Sequence, residues 1–157
     1  MKLNKKAAAA ITALVLAAAV FLLFIPKGHF LVLTYERTGE EIIRYPFSPE
    51  DTFSVSFIHS VNKSPVIDRY EIRDGKITVV ETTYYHFGAG VQTELNEGEI
   101  LSYGEDGAMI ISNINKTTDP LLYVVGTVSD HILTIHGQEI SLRDLCGRNA
   151  LVRFSYR

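Results

Sequence analysis

Tryptophan is missing from the 157 residues, methionine occurs twice and cysteine once. The single thiol, Cys146, excludes an internal disulfide framework and any CxxC zinc or redox site. A basic excess is missing too: 15 Lys and Arg stand against 18 Asp and Glu, which removes the electrostatic footprint of a nucleic-acid binder. There is no repeat, low-complexity tract or internal linker, and the length suits one domain. What is present is eight Tyr and eight Phe among many β-branched residues, a composition suited to a packed β core.

The first 27 residues differ from the rest. Lys2, Lys5 and Lys6 precede a run from Ala7 to Ile25 in which Thr12 is the only polar side chain, and Pro26, Lys27 and Gly28 end it. As a helix the run would be about 28 Å long, close to the thickness of a bilayer's hydrocarbon core. A cleaved signal has a shorter apolar region. Cutting after Ala17-Ala18-Ala19 would leave Val20 to Ile25 as a greasy new terminus, so the pattern predicts an uncleaved signal-anchor over 1–27, with secretion after cleavage as the alternative. No cysteine near the run permits a lipoprotein. The lysines keep the N-terminal end cytoplasmic, so residues 28–157 form an extracytoplasmic domain and the lipid bilayer is contacted through 7–25. Past residue 25 twelve basic side chains face eighteen acidic ones, a balance that disfavours anionic lipid surfaces.

From Phe30 onward, turn signals recur every eight to twelve residues. The expected fold is all-β, an antiparallel sandwich or partly open barrel of about nine to ten short strands. Candidate strands are 30–36, 40–45, 52–60, 66–73, 76–85, 99–103, 108–114, 121–127, 131–136 and 150–156. One short helix is expected over Leu142 to Cys146, with Ser141 as N-cap and Gly147 beyond its end.

Asp74-Gly75 is a strong two-residue hairpin signal, and it pairs Ile72 with Ile77, Tyr70 with Val79 and Asp68 with Glu81. A loop centred on Lys63-Ser64 would pair Val55 with Ile72, Phe57 with Tyr70 and His59 with Asp68. Together these registers predict His59, Asp68 and Glu81 in one row across three strands, on a face otherwise carrying Phe57, Tyr70 and Val79. An imidazole and two carboxylates on an apolar face must pair with one another, hold a ligand or face water at the sheet's end. The residue types suit a salt-bridged cluster, a ligand or partner site, a metal shell, or an acid–base pair with Ser60 as nucleophile. Two features weaken the last two readings. The outer pair would be too far apart for one ion, and Ser60 alternates to the opposite face from His59.

Other candidates are weaker. Gly88 and Gly90 in His86-Phe87-Gly88-Ala89-Gly90 permit a nest of backbone N–H groups or, more simply, a tight turn. His131 and His136 are five apart and face opposite sides of one strand. His29 borders the apolar run. Asn62-Lys63-Ser64 and Asn115-Lys116-Thr117 match the glycosylation sequon, a common chance match. Cys146 reads as a small buried hydrophobe.

The motif pieces Phe57-Ile58-His59-Ser60-Val61, Pro65-Val66, Asp68, Glu81-Thr82 and Phe87-Gly88-Ala89-Gly90 resemble an uncharacterised bacterial family, domain of unknown function 1850. The resemblance extends over most of residues 50–155, including His131-Ile132-Leu133 and Ile140-Ser141-Leu142. Asp68 stands where the family pattern implies Glu, one methylene longer. The resemblance implies genes beside TRAP-type solute transporters of the TAXI subclass and supplies no activity. The leading expectation is therefore a non-enzymatic, membrane-anchored accessory that contacts transporter subunits or a solute-binding protein. Its ligand- or partner-binding residues would be His59, Ser60, Pro65, Asp68, Glu81, Gly88 and Gly90, with no cofactor, metal ion or nucleic acid. The alternatives are a small hydrolase using His59 with Asp68, and a metal-binding module.

Overall fold

The structure, a computed structural model, describes residues 28–61, 63–85, 92 and 94–157. The apolar run 7–25 and the glycines Gly88 and Gly90 lie outside the described residues. Among those described, no helix is long and apolar enough to cross a membrane.

Among the described residues, eleven strands and one short helix follow in chain order: β1 Phe30–Tyr35, β2 Glu41–Pro46, β3 Thr52–Ile58, β4 Pro65–Arg73, β5 Lys76–Tyr84, β6 Ile100–Tyr103, β7 Met109–Thr117, β8 Leu121–Val124, β9 His131–Ile135, β10 Gln138–Ser141, α1 Leu142–Cys146 and β11 Leu151–Tyr156. They form two antiparallel sheets, one ordered β2-β1-β11-β8 and the other β10-β9-β3-β4-β5-β7-β6. The fold of the described residues is all-β, and among them no closed barrel is formed.

The sheets share one core. Period-two alternation sends Leu31 and Leu33 of β1, Val152 and Phe154 of β11, Phe53 and Val55 of β3, and Leu133 and Ile135 of β9 into it. Phe53 and Phe154 stack across the gap with centroids 5.9 Å apart and planes 3° from parallel. β6 and β7 supply none of this core, so the larger sheet extends beyond the smaller one.

Most expected elements are present. Ser141 caps α1 by accepting from Asp144 N–H, and Gly147 ends it at φ 86°. Strand β10 was not expected. It follows the two-residue turn His136-Gly137, both at positive φ, and is short and polar. The Asp74-Gly75 hairpin has the expected pairs Ile72 with Ile77 and Tyr70 with Val79.

The row of three does not form, and two register changes explain why. First, β3 and β4 pair Phe53 with Tyr70, Val55 with Asp68 and Phe57 with Val66, so every β4 residue meets a β3 residue four positions earlier than expected. The loop runs through 59–64: His59 N–H donates to Ser64 O at 2.9 Å and Lys63 N–H to His59 O at 3.0 Å, with Lys63 at φ 53°. This register stacks Phe53 on Tyr70 at 4.9 Å, which adds aromatic contact to the burial of both rings. An even shift preserves faces, so Asp68 still points inward, but His59 falls past the strand's end. Second, a bulge places Val80 as an extra residue, so Arg69 pairs with Glu81 and Asp68 with Thr82. Glu81 therefore turns to the outer face, where its carboxylate meets Arg69 at 3.3 Å.

Candidate functional site

The expected site residues separate into two places. Asp68 lines a cavity of about 640 Å³ on the inner face of β4, β5 and β7, beyond the shared core. His59 and Ser60 line a groove of about 890 Å³ between the end of β3 and the β8–β9 connection. Pro65 opens β4 opposite Ile58 and lines neither, and Glu81 is on the outer face.

At the cavity floor, Asp68 accepts from Thr82 Oγ1 at 2.8 Å and from the Tyr123 hydroxyl at 3.3 Å. Tyr123 and Tyr70 hydroxyls are 2.5 Å apart. With Tyr123 donating to the carboxylate, Tyr70 donates to Tyr123, giving a directed chain from the core to Asp68. Burial raises the Asp68 pKa, and the hydroxyls of Thr82, Tyr123 and Tyr70 offset only part of the rise. Burial and the neighbouring carboxylate push Tyr70 and Tyr123 upward as well, so both stay protonated.

The wall is built by the segment before β6. Glu99 accepts from Asn96 N–H at 2.8 Å, from Asn96 Nδ2 at 2.9 Å and from Gln92 Nε2. Those bonds outweigh its desolvation and lower its pKa. Asn113, at φ 58° within β7, ties the wall down through Nδ2 to Gly98 O at 2.6 Å.

The raised pKa has a sign. Between the ordinary value of 3.8 and its own higher midpoint, Asp68 holds its proton more firmly in the folded chain than in the unfolded one. Stability from this group therefore falls as pH rises through that interval. Asp68→Asn keeps the shape without the charge. It is expected to raise the melting temperature at pH 7 by a few degrees and by nothing at pH 3. Thermal melts of both proteins across that range check it, and a variant that melts lower at pH 7 would contradict the cause assigned.

At the groove, the β8–β9 connection is held in place from several sides. Ser129 Oγ accepts from Ile58 N–H at 3.0 Å. Gly126 N–H donates to His131 Nδ1 at 3.1 Å, which assigns the imidazole proton to Nε2. Desolvation lowers the His131 pKa, the Arg143 charge adds to this, and Asp130 opposes it. Asp130 accepts from Ser141 Oγ at 2.5 Å, from Arg143 N–H at 3.0 Å and from His131 N–H at 2.7 Å. Arg143 Nη2 reaches the carbonyls of Gly126 at 3.2 Å and Val128 at 3.0 Å. Despite this anchoring, Val128 is 89% exposed and Ile58 44%.

The two places adjoin at Tyr123, whose hydroxyl serves Asp68 and whose ring lies 5.4 Å from the His131 ring. β3 and β4 pair Val55, not His59, with Asp68, so the two residues of the hydrolase reading are not cross-strand partners. His59 Nδ1 instead accepts from Val61 N–H at 3.3 Å. No group of three His, Cys, Asp or Glu among the described residues could hold a metal ion. Cys146 is half-buried against the core, and burial pushes its thiol up to about 11.

Sequence reasoning missed Thr82, Tyr123 and His131 as site residues. Two adjacent valines, Val79 and Val80, break the alternation just before Glu81 and are the one local signal that Thr82 faces inward. Tyr123 arrives from the other sheet, beyond the reach of local pattern.

A family model described as a domain of unknown function, DUF1850, matches residues 53–142, which include both places and more than half of the chain. No curated protein and no solved structure matches the chain.

Proposed function

The chain belongs to the DUF1850 family, and from that premise we propose that it is a non-enzymatic, extracytoplasmic accessory of a TRAP-type solute transporter of the TAXI subclass. In this reading residues 7–25 tether it to the membrane, and the groove beside His59 docks the transporter's soluble solute-binding subunit.

The observation that carries the reading is Val128. A loop fixed by Ser129, Asp130 and Arg143 nevertheless holds a branched apolar side chain in water, next to Ile58. Ordering a hydrophobe in solvent gives the fold nothing; it suits a surface that a partner covers. Position supports the choice of partner. Gly28 and His29 lie with Phe47 and Asp51 near the start of β3. The groove begins at that strand's other end, seven residues or roughly 20 Å away. A tethered domain therefore offers the groove away from the tether, within reach of a soluble protein.

The full chain, solubilised from membranes with the adjacent transporter genes expressed, should recover the solute-binding subunit on a tag. Val128→Asp should reduce recovery at least tenfold, leave the melting temperature unchanged, and fail to restore solute uptake in a strain lacking this protein. An unaltered yield with Val128→Asp, or uptake unaffected by deletion of the gene, overturns the proposal.

A further inference from the structure

We infer that the cavity on the inner face of β5 and β7 binds a small solute through a positively charged amino group, with Asp68 as the counter-ion. The inference does not depend on the transporter reading, since it concerns the other site.

The cavity's volume of about 640 Å³ lies within the range of small-molecule sites, and it is built from both polar and aromatic groups. Asp68 is largely enclosed, yet among the described residues it forms no ion pair; its partners Thr82 and Tyr123 are neutral hydroxyls. An enclosed carboxylate is ordinarily matched by a cationic side chain. Arg69, the next residue, is turned outward to Glu81 by the strand's alternation and the Val80 bulge. Lys116 lines the same cavity from β7 and is exposed, without an ion pair to Asp68.

The remaining chemistry selects the ligand class. A carboxylate offers about four acceptor positions, of which the two hydroxyls occupy two. An alkylammonium brings three N–H donors, two for the acceptor positions left on Asp68 and one for a further acceptor on the cavity lining. The Tyr84 side chain beside Asp68 offers an aromatic surface for the cation and its carbon body. An anion would instead meet Asp68 as a like charge, with Glu97 on the wall and Glu99 beside it, whose carboxylate already accepts three hydrogen bonds from Asn96 and Gln92.

Benzylamine, benzyl alcohol and benzoate present one ring with a positive, neutral and negative head. Titrated into the full chain in lipid nanodiscs and followed by NMR at Tyr84 and Thr82, benzylamine should give saturable shifts. Benzyl alcohol should bind at least tenfold more weakly, and benzoate should leave these signals in place. Asp68→Asn should weaken benzylamine at least tenfold without lowering the melting temperature. Lys116→Ala, at an exposed position, should tighten it severalfold by removing a competing charge. Equal affinity for the amine and the alcohol, an undiminished response in Asp68→Asn, or no saturable shift at all overturns the inference.

Discussion

Replacing Phe154 by alanine is expected to lower the unfolding free energy by about 3–5 kcal/mol, the range for truncating a fully buried aromatic residue. Phe154 belongs to β11, an interior strand of the smaller sheet, and is 0% exposed. Its ring stacks on Phe53 of the larger sheet and meets Tyr123 edge-on at 5.9 Å. Truncation would open a void where both sheets meet beside the Tyr123 hydroxyl chain. The Tyr123 ring would lose its support, so the Asp68 hydrogen bonds should loosen together with the core. Leu122→Ala, on the exposed side of the edge strand β8, should move stability by less than about 0.5 kcal/mol. Urea unfolding of the two variants makes the comparison. A loss below about 1 kcal/mol for Phe154→Ala would mean that the sheets do not depend on this contact.

The second large effect is expected from a single methyl group. A Cβ built on Gly126 would lie 1.9 Å from the Ser129 carbonyl oxygen and 3.1 Å from its carbon. Both are backbone atoms, which cannot rotate aside as a side chain would, so Gly126→Ala must move the loop. Movement separates Gly126 N–H from His131 Nδ1 and draws the Gly126 carbonyl away from Arg143. Overpacking of this kind plus lost hydrogen bonds corresponds to about 2–4 kcal/mol. Unfolding midpoints measure the loss, and the His131 ring signals should shift in NMR spectra because Nδ1 loses its donor. A variant matching the parent in both would show that the loop tolerates the methyl group and is not held as described.

The strands were legible because this chain places β-branched and aromatic residues at period two between Gly, Pro and Asp turns. The Asp74-Gly75 hairpin and the Ser141 cap were readable for the same reason: each depends on a few adjacent residues. β10 was missed because Gln138 and Glu139 are exposed and polar, leaving only four residues with little alternation to detect. The loop after β3 was misplaced by two residues, an error that left every face correct and every row wrong. Asp68 was legible as an acidic residue on an apolar face. Its partners were not, since a bulge decides between Glu81 and Thr82, and Tyr123 is brought in from the opposite sheet.

Seven strands stacked on four make the two halves of the larger sheet answer to different demands. Where β3, β4 and β9 have a facing layer, volume and shape are set by the rings and branched chains opposite, and substitutions there disturb the whole molecule. Past that layer, Asn113, Asn115 and Lys116 on β7 and the segment from Asn96 to Glu99 border the cavity and bond to one another, to Gln92 and to Arg73, outside the shared core. Exchanges at the exposed Lys116 and Glu97 can retune what the cavity admits while the facing layers stay intact. The mismatch in strand number thus leaves one flank of the protein free to acquire new specificities at little risk to folding.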